Sequence, residues 1–509
     1  MQASAPIPVH GRALLIGCGL AGVALACLPF YAALVPPMAD LPAHVLVARI
    51  VAEYADASLR FSDYFTVEWA ASPTVLFYLV LVPLQKIVGP FTDARLYLTV
   101  WVLLTWLSAI CLARSLGRPE PWMAGLVALP LAFCWYAYNG FLPFLMSLPL
   151  FAFSVAVWCG DWKPPLKAAA LSVLLLALFG FHIVGAAAAA AVIGAGALVR
   201  GWKEKRGVQD ALWTATALAP LGIVTLVYLL GRQSPTSRLG YRPLLDQLVD
   251  VVKFTCATLD DSAGVLMLVW LAALTLAAIV HWRQLLTVPW IVAGAALLLV
   301  LSAALPGSLG ALWPAGPRLL PFALLLIVAA VPWTLFRRSW VVAASVLLLC
   351  GLSFFTTRKT LELGRDYRDL VDGLELVAPG SRVLPIITDV NLGSRWTKPF
   401  LHVGAIQAIL RGGTNPYVFA NPHILTGASP LTYRHEADAR AFAFIYDDEH
   451  PAADYRGVAG HYDYVLLWGP APSIDAVLDQ EMSKVYARGH AVLFARRDSA
   501  QGRVMWPLQ

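Results

Sequence analysis

The stretch ALLIGCGLAGVALACLPFYAALVPPMADLPAH, Ala13 to His44, decides how the rest of the chain is read. Its first part, Ala13 to Val35, holds no Asp, Glu, Lys, Arg or His and is long enough to cross the roughly 30 Å hydrocarbon core of a bilayer. Arg12 precedes it, and the run exceeds the apolar core of a cleaved leader, so it reads as a retained first span with a cytoplasmic amino terminus. Pro36 and Pro37 end the run, and Asp40 and His44 follow where the chain surfaces. Pro42 suits the first turn of a new helix. At about 100° per residue Asp40 and His44 share one face of that helix, with Arg49, Glu53 and Asp56 on the other.

Outward from this stretch the composition agrees. Hydrophobic residues make up 59% of the chain and charged residues 13%, against about 25% charged in a soluble domain. The expected fold is a polytopic α-helical membrane protein with a small extracytoplasmic α/β domain at its carboxy end. Cys18, Cys27, Cys111, Cys134, Cys159, Cys256 and Cys350 all lie in or beside apolar runs, which argues against a disulfide framework, a zinc knuckle or a thiol nucleophile. The net charge of +6 collects at the ends of apolar runs, a sign of topology and not of nucleic-acid binding.

Basic turns at Arg200 to Arg206, His281 to Arg283, Arg337-Arg338, Asp161 to Lys167 and Arg114 to Arg118 are read as cytoplasmic. They predict spans near 96–113, 121–138, 141–159, 167–184, 186–199, 211–230, 264–280, 285–304, 318–336 and 340–356, about eleven crossings with the first. Parity then makes Pro73 to Val88 a re-entrant or membrane-lying helix. Residues 1–356 form the membrane domain, with an external loop at 36–72, and 357–509 the extracytoplasmic domain. A second external loop, Arg232 to Asp261, predicts an amphipathic helix in the interface plane, with Leu244, Leu245, Leu248, Val251 and Val252 against Asp246, Asp250 and Lys253. In the carboxy-terminal domain, strands are expected at 382–387, 464–468 and 491–495, and helices at 402–411 and 474–488. The sequence shows no internal repeat, phosphate-binding glycine loop or heptad.

Each candidate residue carries two readings. Asp40 is either an amino-terminal helix cap or a general base facing an outer-leaflet cavity. His44 either orients Asp40, meets a phosphate or a metal, or simply bonds a nearby carbonyl. Asp63, in FSDYF, and Glu68 are solvated loop acids or a second acid for the site. His182, in the hairpin FGFHIVG, is an ionisable group at membrane depth, functional by default or satisfied within the turn. Tyr136, Tyr138 and Asn139 read as interface anchors. Arg318, in GPRLLPFALLL, and Arg242 either present a planar fork to phosphate or snorkel. Asp447-Asp448-Glu449-His450 reads as a solvated loop rather than a metal cluster.

Taken together, PMADLPAH after a first span, the short apolar helix at Pro73 to Val88, LARSLGR at 112–118, GPRLLPFALLL and a polar tail with YDYVLLWG resemble the GT-C superfamily of integral membrane glycosyltransferases. The resemblance spans most of the chain in layout, through short motifs. It implies a bacterial-type inner membrane location, a polyprenyl-phosphate-linked sugar donor, and a lipid, glycan or protein acceptor. It also implies Asp40 as general base, Arg318 as a contact to the lipid phosphate, and inversion at the anomeric carbon. His44, Asp63, Glu68, His182 and Arg242 are substrate-binding candidates by position alone. Where many members carry an adjacent acidic pair this chain has one acid and His44; a divalent cation is the one cofactor the resemblance admits. Membrane lipids are the expected surroundings, and nucleic acid is not an expected partner. A transporter or flippase should show paired broken helices in symmetric halves, which are not seen; a non-catalytic scaffold with the same layout remains an alternative.

Overall fold

The computed structural model describes residues 9–204, 207–230, 239–241, 243–309, 312–333, 338–420, 429–435, 441–442 and 454–500. Eight helices are long and apolar enough to cross a membrane: 13–31, 92–115, 142–159, 164–181, 183–201, 209–230, 261–280 and 338–374. Three other predicted spans are shorter and broken. The first runs from Pro121–Ala128 into a 3-10 turn at Leu129–Phe133, where Pro130 cannot continue the α-helical hydrogen bonding. Pro289 starts a helix of only 16 residues, and Gly316–Leu319 is a 3-10 turn before Leu320–Ala330. These breaks matter, because the turns they create carry Trp135, Asn139, Trp313 and Arg318 to one place.

The Leu41–Ala52 and Val75–Val88 helices are too short to span, as expected of membrane-lying segments. The Leu244–Cys256 helix exposes Leu244, Leu245, Leu248 and Val252 together, the face an interfacial helix would set against lipid.

The last apolar run does not stop where its composition does. Arg338–Leu374 is one helix of 37 residues, apolar to about Phe355 and charged from Arg358 onward. At 1.5 Å per residue it is about 55 Å long, well beyond a bilayer core, so the boundary drawn at 356/357 falls inside a rigid element. Its polar half packs on a four-stranded sheet in the order Val383–Ile387, Tyr464–Trp468, Ala491–Arg496, Met482–Arg488. The first pair is parallel and the others antiparallel. The helix expected over 474–488 is corrected: Pro472–Glu481 is helical, but Met482–Arg488 is an edge strand. Val485 and Tyr486 favour strand, and Tyr486 lies against Gly373 of the long helix, its hydroxyl donating to Asp369 O at 2.6 Å.

Candidate active site

The turn at 138–140 fixes Asp40. Its backbone N–H donates to Asn139 O at 3.0 Å, and Ala39 N–H to Tyr138 O at 3.2 Å. Gly140 makes this approach possible: it has φ +73°, and a Cβ there would stand 2.6 Å from Leu41 N and 2.9 Å from Asp40 N. Asp40 begins the 41–52 helix, yet its side chain makes no capping bond, and its backbone (φ −89°, ψ −10°) is helical rather than the extended form of a capping residue. The carboxylate is therefore left for other partners. His402 Nε2 lies 3.5 Å from Asp40 Oδ1.

Asp40, His44, His182 and Arg318 line a single cavity of about 600 Å³. His44 is buried, its Nδ1 3.0 Å from the Tyr78 hydroxyl and its ring edge-on to Phe77 and Phe419. Burial, only partly offset by the Asp40 charge, pushes its pKa down to about 4, so the ring is neutral near pH 7. Arg318 is buried too, and does not snorkel. One terminal nitrogen meets His182 Nε2 at 2.9 Å, the other donates to Trp313 O at 2.7 Å, and the guanidinium lies over Phe141 at 4.5 Å. Arginine can only donate, so His182 Nε2 accepts here, while the Val184 N–H lies 3.2 Å from His182 Nδ1. The Arg318 Nε–H, also buried, has no partner among the described residues.

Lys253, Arg395 and Lys398 complete a cationic lining: with Arg318 there are four cations, and Asp40 is the one carboxylate among the described lining residues. Lys253 enters from the last turn of the 244–256 helix and lies over the Trp396 ring at 5.2 Å. Arg395 and Lys398 sit on the loop after the Val383–Ile387 strand, which is tied to the membrane helices where Trp135 Nε1 donates to Trp396 O at 2.8 Å. Among the described residues no group of three or more His, Cys, Asp or Glu is arranged to hold a metal ion.

The other candidates lie elsewhere. Asp63 is at the surface, paired with Arg60 at 2.8 Å. Glu68 is bound through its backbone N–H to Pro430 O and faces a separate small cleft. The loop turns both away, because the left-handed Arg60 (φ 57°) redirects the chain and Phe65–Val67 pairs with Leu431–Tyr433. Tyr136, Tyr138 and Asn139 are buried rather than anchored at an interface. Arg242 and Asp447 to His450 lie outside the described residues.

No family model and no curated protein matches the sequence. Solved structures do match in shape. The crystal structure of ArnT from Cupriavidus metallidurans bound to undecaprenyl phosphate superposes with a TM-score of 0.57 over 96% of this chain and 98% of that one. Its apo form gives 0.56 over 95% and 97%, and both are 12% identical in sequence. The chain has the ArnT fold. The layout of helices and carboxy-terminal sheet is thus similar to that of these structures across nearly the whole chain.

Sequence reasoning missed three groups that line the cavity, Lys253, Arg395 and Lys398, and a fourth, His402, that stands beside Asp40. Lys253 was visible only as the polar side of an amphipathic helix. The other three sit in a polar segment, where a charge does not stand out as Arg318 does in an apolar run.

Proposed function

We propose that the protein is a membrane glycosyltransferase that moves a sugar from a polyprenyl-phosphate-linked donor to an acceptor at the outer face of the membrane. The observation that carries this reading is the convergence of Asp40, unengaged as a cap, and Arg318, buried with an unpartnered Nε–H, on one cavity. The ArnT fold supports it.

In the reaction Asp40 takes the proton from the acceptor hydroxyl or amine as its heteroatom attacks the anomeric carbon. The bond from that carbon to the phosphate oxygen breaks, and the electron pair leaves with polyprenyl phosphate. Attack opposite the leaving group inverts the centre. The developing phosphate charge falls to Arg318, with Lys253 beside the same space. His182 and Trp313 O hold the guanidinium in place before substrate arrives, so little reorganisation accompanies bond breaking. His402 stands beside Asp40, and the turn at 138–140 fixes its backbone.

The test is transfer from a polyprenyl-phosphate sugar in reconstituted membranes, wild type against Asp40→Asn. Loss of general-base catalysis lowers turnover by about 10²–10⁴-fold with donor binding retained. Equal turnover in the two proteins removes Asp40 from the chemistry. Absence of transfer in wild type across a panel of donors and acceptors favours the scaffold alternative.

A further inference from the structure

A second cleft lies at the far end of the same helices. The 164–181 and 183–204 helices meet at His182, which lines the main cavity. Lys167 and Arg200 sit 15 and 18 residues away along them, about 22 and 27 Å at 1.5 Å per residue, close to the thickness of a hydrocarbon core. They therefore mark the opposite membrane boundary. Both line a cleft of about 80 Å³ with Trp158, Asp210 and Trp213.

The cations there are held but not neutralised. The Arg200 guanidinium lies over the Trp158 ring at 4.1 Å and over the Trp290 ring at 4.5 Å, contacts that favour the cation through the ring faces, and one of its donors meets the Cys159 thiol. Gly196 seats Trp158, since a Cβ at that position would stand 2.5 Å from the indole. Lys167 Nζ donates to Trp158 O at 3.3 Å, and neither cation has a carboxylate within ion-pair distance among the described residues. Asp210, exposed at the mouth, leaves two cations against one acid in the lining. The cleft has room for two or three waters, enough for a phosphate group but not for what it is attached to. Beside it the helices expose Leu166 and Val173, seven residues apart on one face, and Leu212.

We propose that this cleft binds the phosphodiester of an anionic phospholipid, such as phosphatidylglycerol, in the leaflet opposite the main cavity. Lys167 and Arg200 take the phosphate, Asp210 accepts from headgroup hydroxyls, and the acyl chains run over Leu166, Val173 and Leu212. Basic pockets between helix ends with tryptophans at headgroup level are suited to this. The site is independent of glycosyl transfer.

Delipidated full-length protein is titrated in nanodiscs of phosphatidylcholine doped with phosphatidylglycerol or phosphatidylethanolamine, and bound lipid is counted by native mass spectrometry. Wild type should retain phosphatidylglycerol about tenfold or more over either other lipid, and Lys167→Gln/Arg200→Gln should lose that preference. Photoactivatable phosphatidylglycerol on wild type covers the case in which the variant does not fold: cross-links should fall within 158–173 and 197–217. Equal retention of all three lipids, an unchanged preference in the variant, or cross-links elsewhere overturn the proposal. If inorganic phosphate competes as strongly as the lipid, the site takes a soluble anion and the lipid assignment fails.

Discussion

The two walls of the main cavity are built differently. The wall from the membrane helices sets Arg318, His182 and His44 in buried positions, each tied by hydrogen bonds to neighbours. The wall from the carboxy-terminal region offers Arg395 and Lys398 on an exposed loop. Buried groups with fixed partners are preorganised for charge that develops in a transition state, whereas exposed cations are screened and suit initial capture of an anion. If the cavity carries out the proposed transfer, chemistry belongs to one wall and recruitment to the other, and the sizes of mutational effects can break that division.

Asp40→Asn should have the largest effect. Next comes Arg318→Gln, which leaves His182 without its donor and the leaving phosphate without its nearest fixed cation. Turnover should fall about 10²–10³-fold, most of it in kcat. Arg318→Lys should rescue little, because a point charge cannot meet His182, Trp313 O and a phosphate from one plane. If Arg318→Gln changes KM alone, the buried wall only binds.

Gly140→Ala tests whether the placement of Asp40 is built by the turn beneath it. The new methyl meets backbone atoms at 2.6 and 2.9 Å and the position has φ +73°. A loss of about 2–5 kcal/mol in stability, read as a lower melting temperature, is expected from positive-φ strain and backbone displacement together. A variant that melts like wild type shows that the 138–140 turn can move away from Asp40 at no cost.

These positions also show what was legible. Asp40, His182 and Arg318 are polar groups in apolar surroundings, so each stands out one residue at a time, and their meeting in one cavity rests on the fold. Asp63 and Glu68 stood out equally but belong to a loop whose path depends on a left-handed arginine and on pairing with a strand more than 360 residues away. No local pattern reports such pairing. The breaks in three predicted spans were written as prolines, at 130, 289 and 317, yet hydropathy averages over them. His402 approaches Asp40 only through the packing of the 405–411 helix against the 41–52 helix, a contact that neither segment announces.

His44 gives a pH-dependent reading of the same wall. Its folded pKa, about 4, lies below the unfolded value of 6.5, so between these values the unfolded chain binds more protons than the folded one. Stability contributed by the neutral ring is full above about pH 6.5 and declines as the pH falls toward 4, by up to about 3 kcal/mol. Melting temperature should therefore drop across this window in wild type. In His44→Gln, which titrates nowhere in the range, the slope should be shallower. Identical slopes would show that His44 is solvated enough to protonate freely.

The smallest effect is expected on the outer wall. Arg395 and Lys398 are exposed on a loop whose backbone is held by Trp135 and by a 2.6 Å contact between the Ser394 and Thr397 hydroxyls, so removing their charges should leave the loop in place. An exposed ion pair contributes about 1 kcal/mol or less, so Arg395→Gln/Lys398→Gln should raise KM by about three- to tenfold with kcat nearly unchanged. Because long-range attraction between exposed charges is screened within about 10 Å at 0.1 M salt, the KM difference should shrink as salt rises. Arg318, desolvated at the inner wall, should show no such salt dependence. A large fall in kcat for the loop variant, insensitive to salt, would mean that both walls close on the transition state and that recruitment and chemistry are not divided between them.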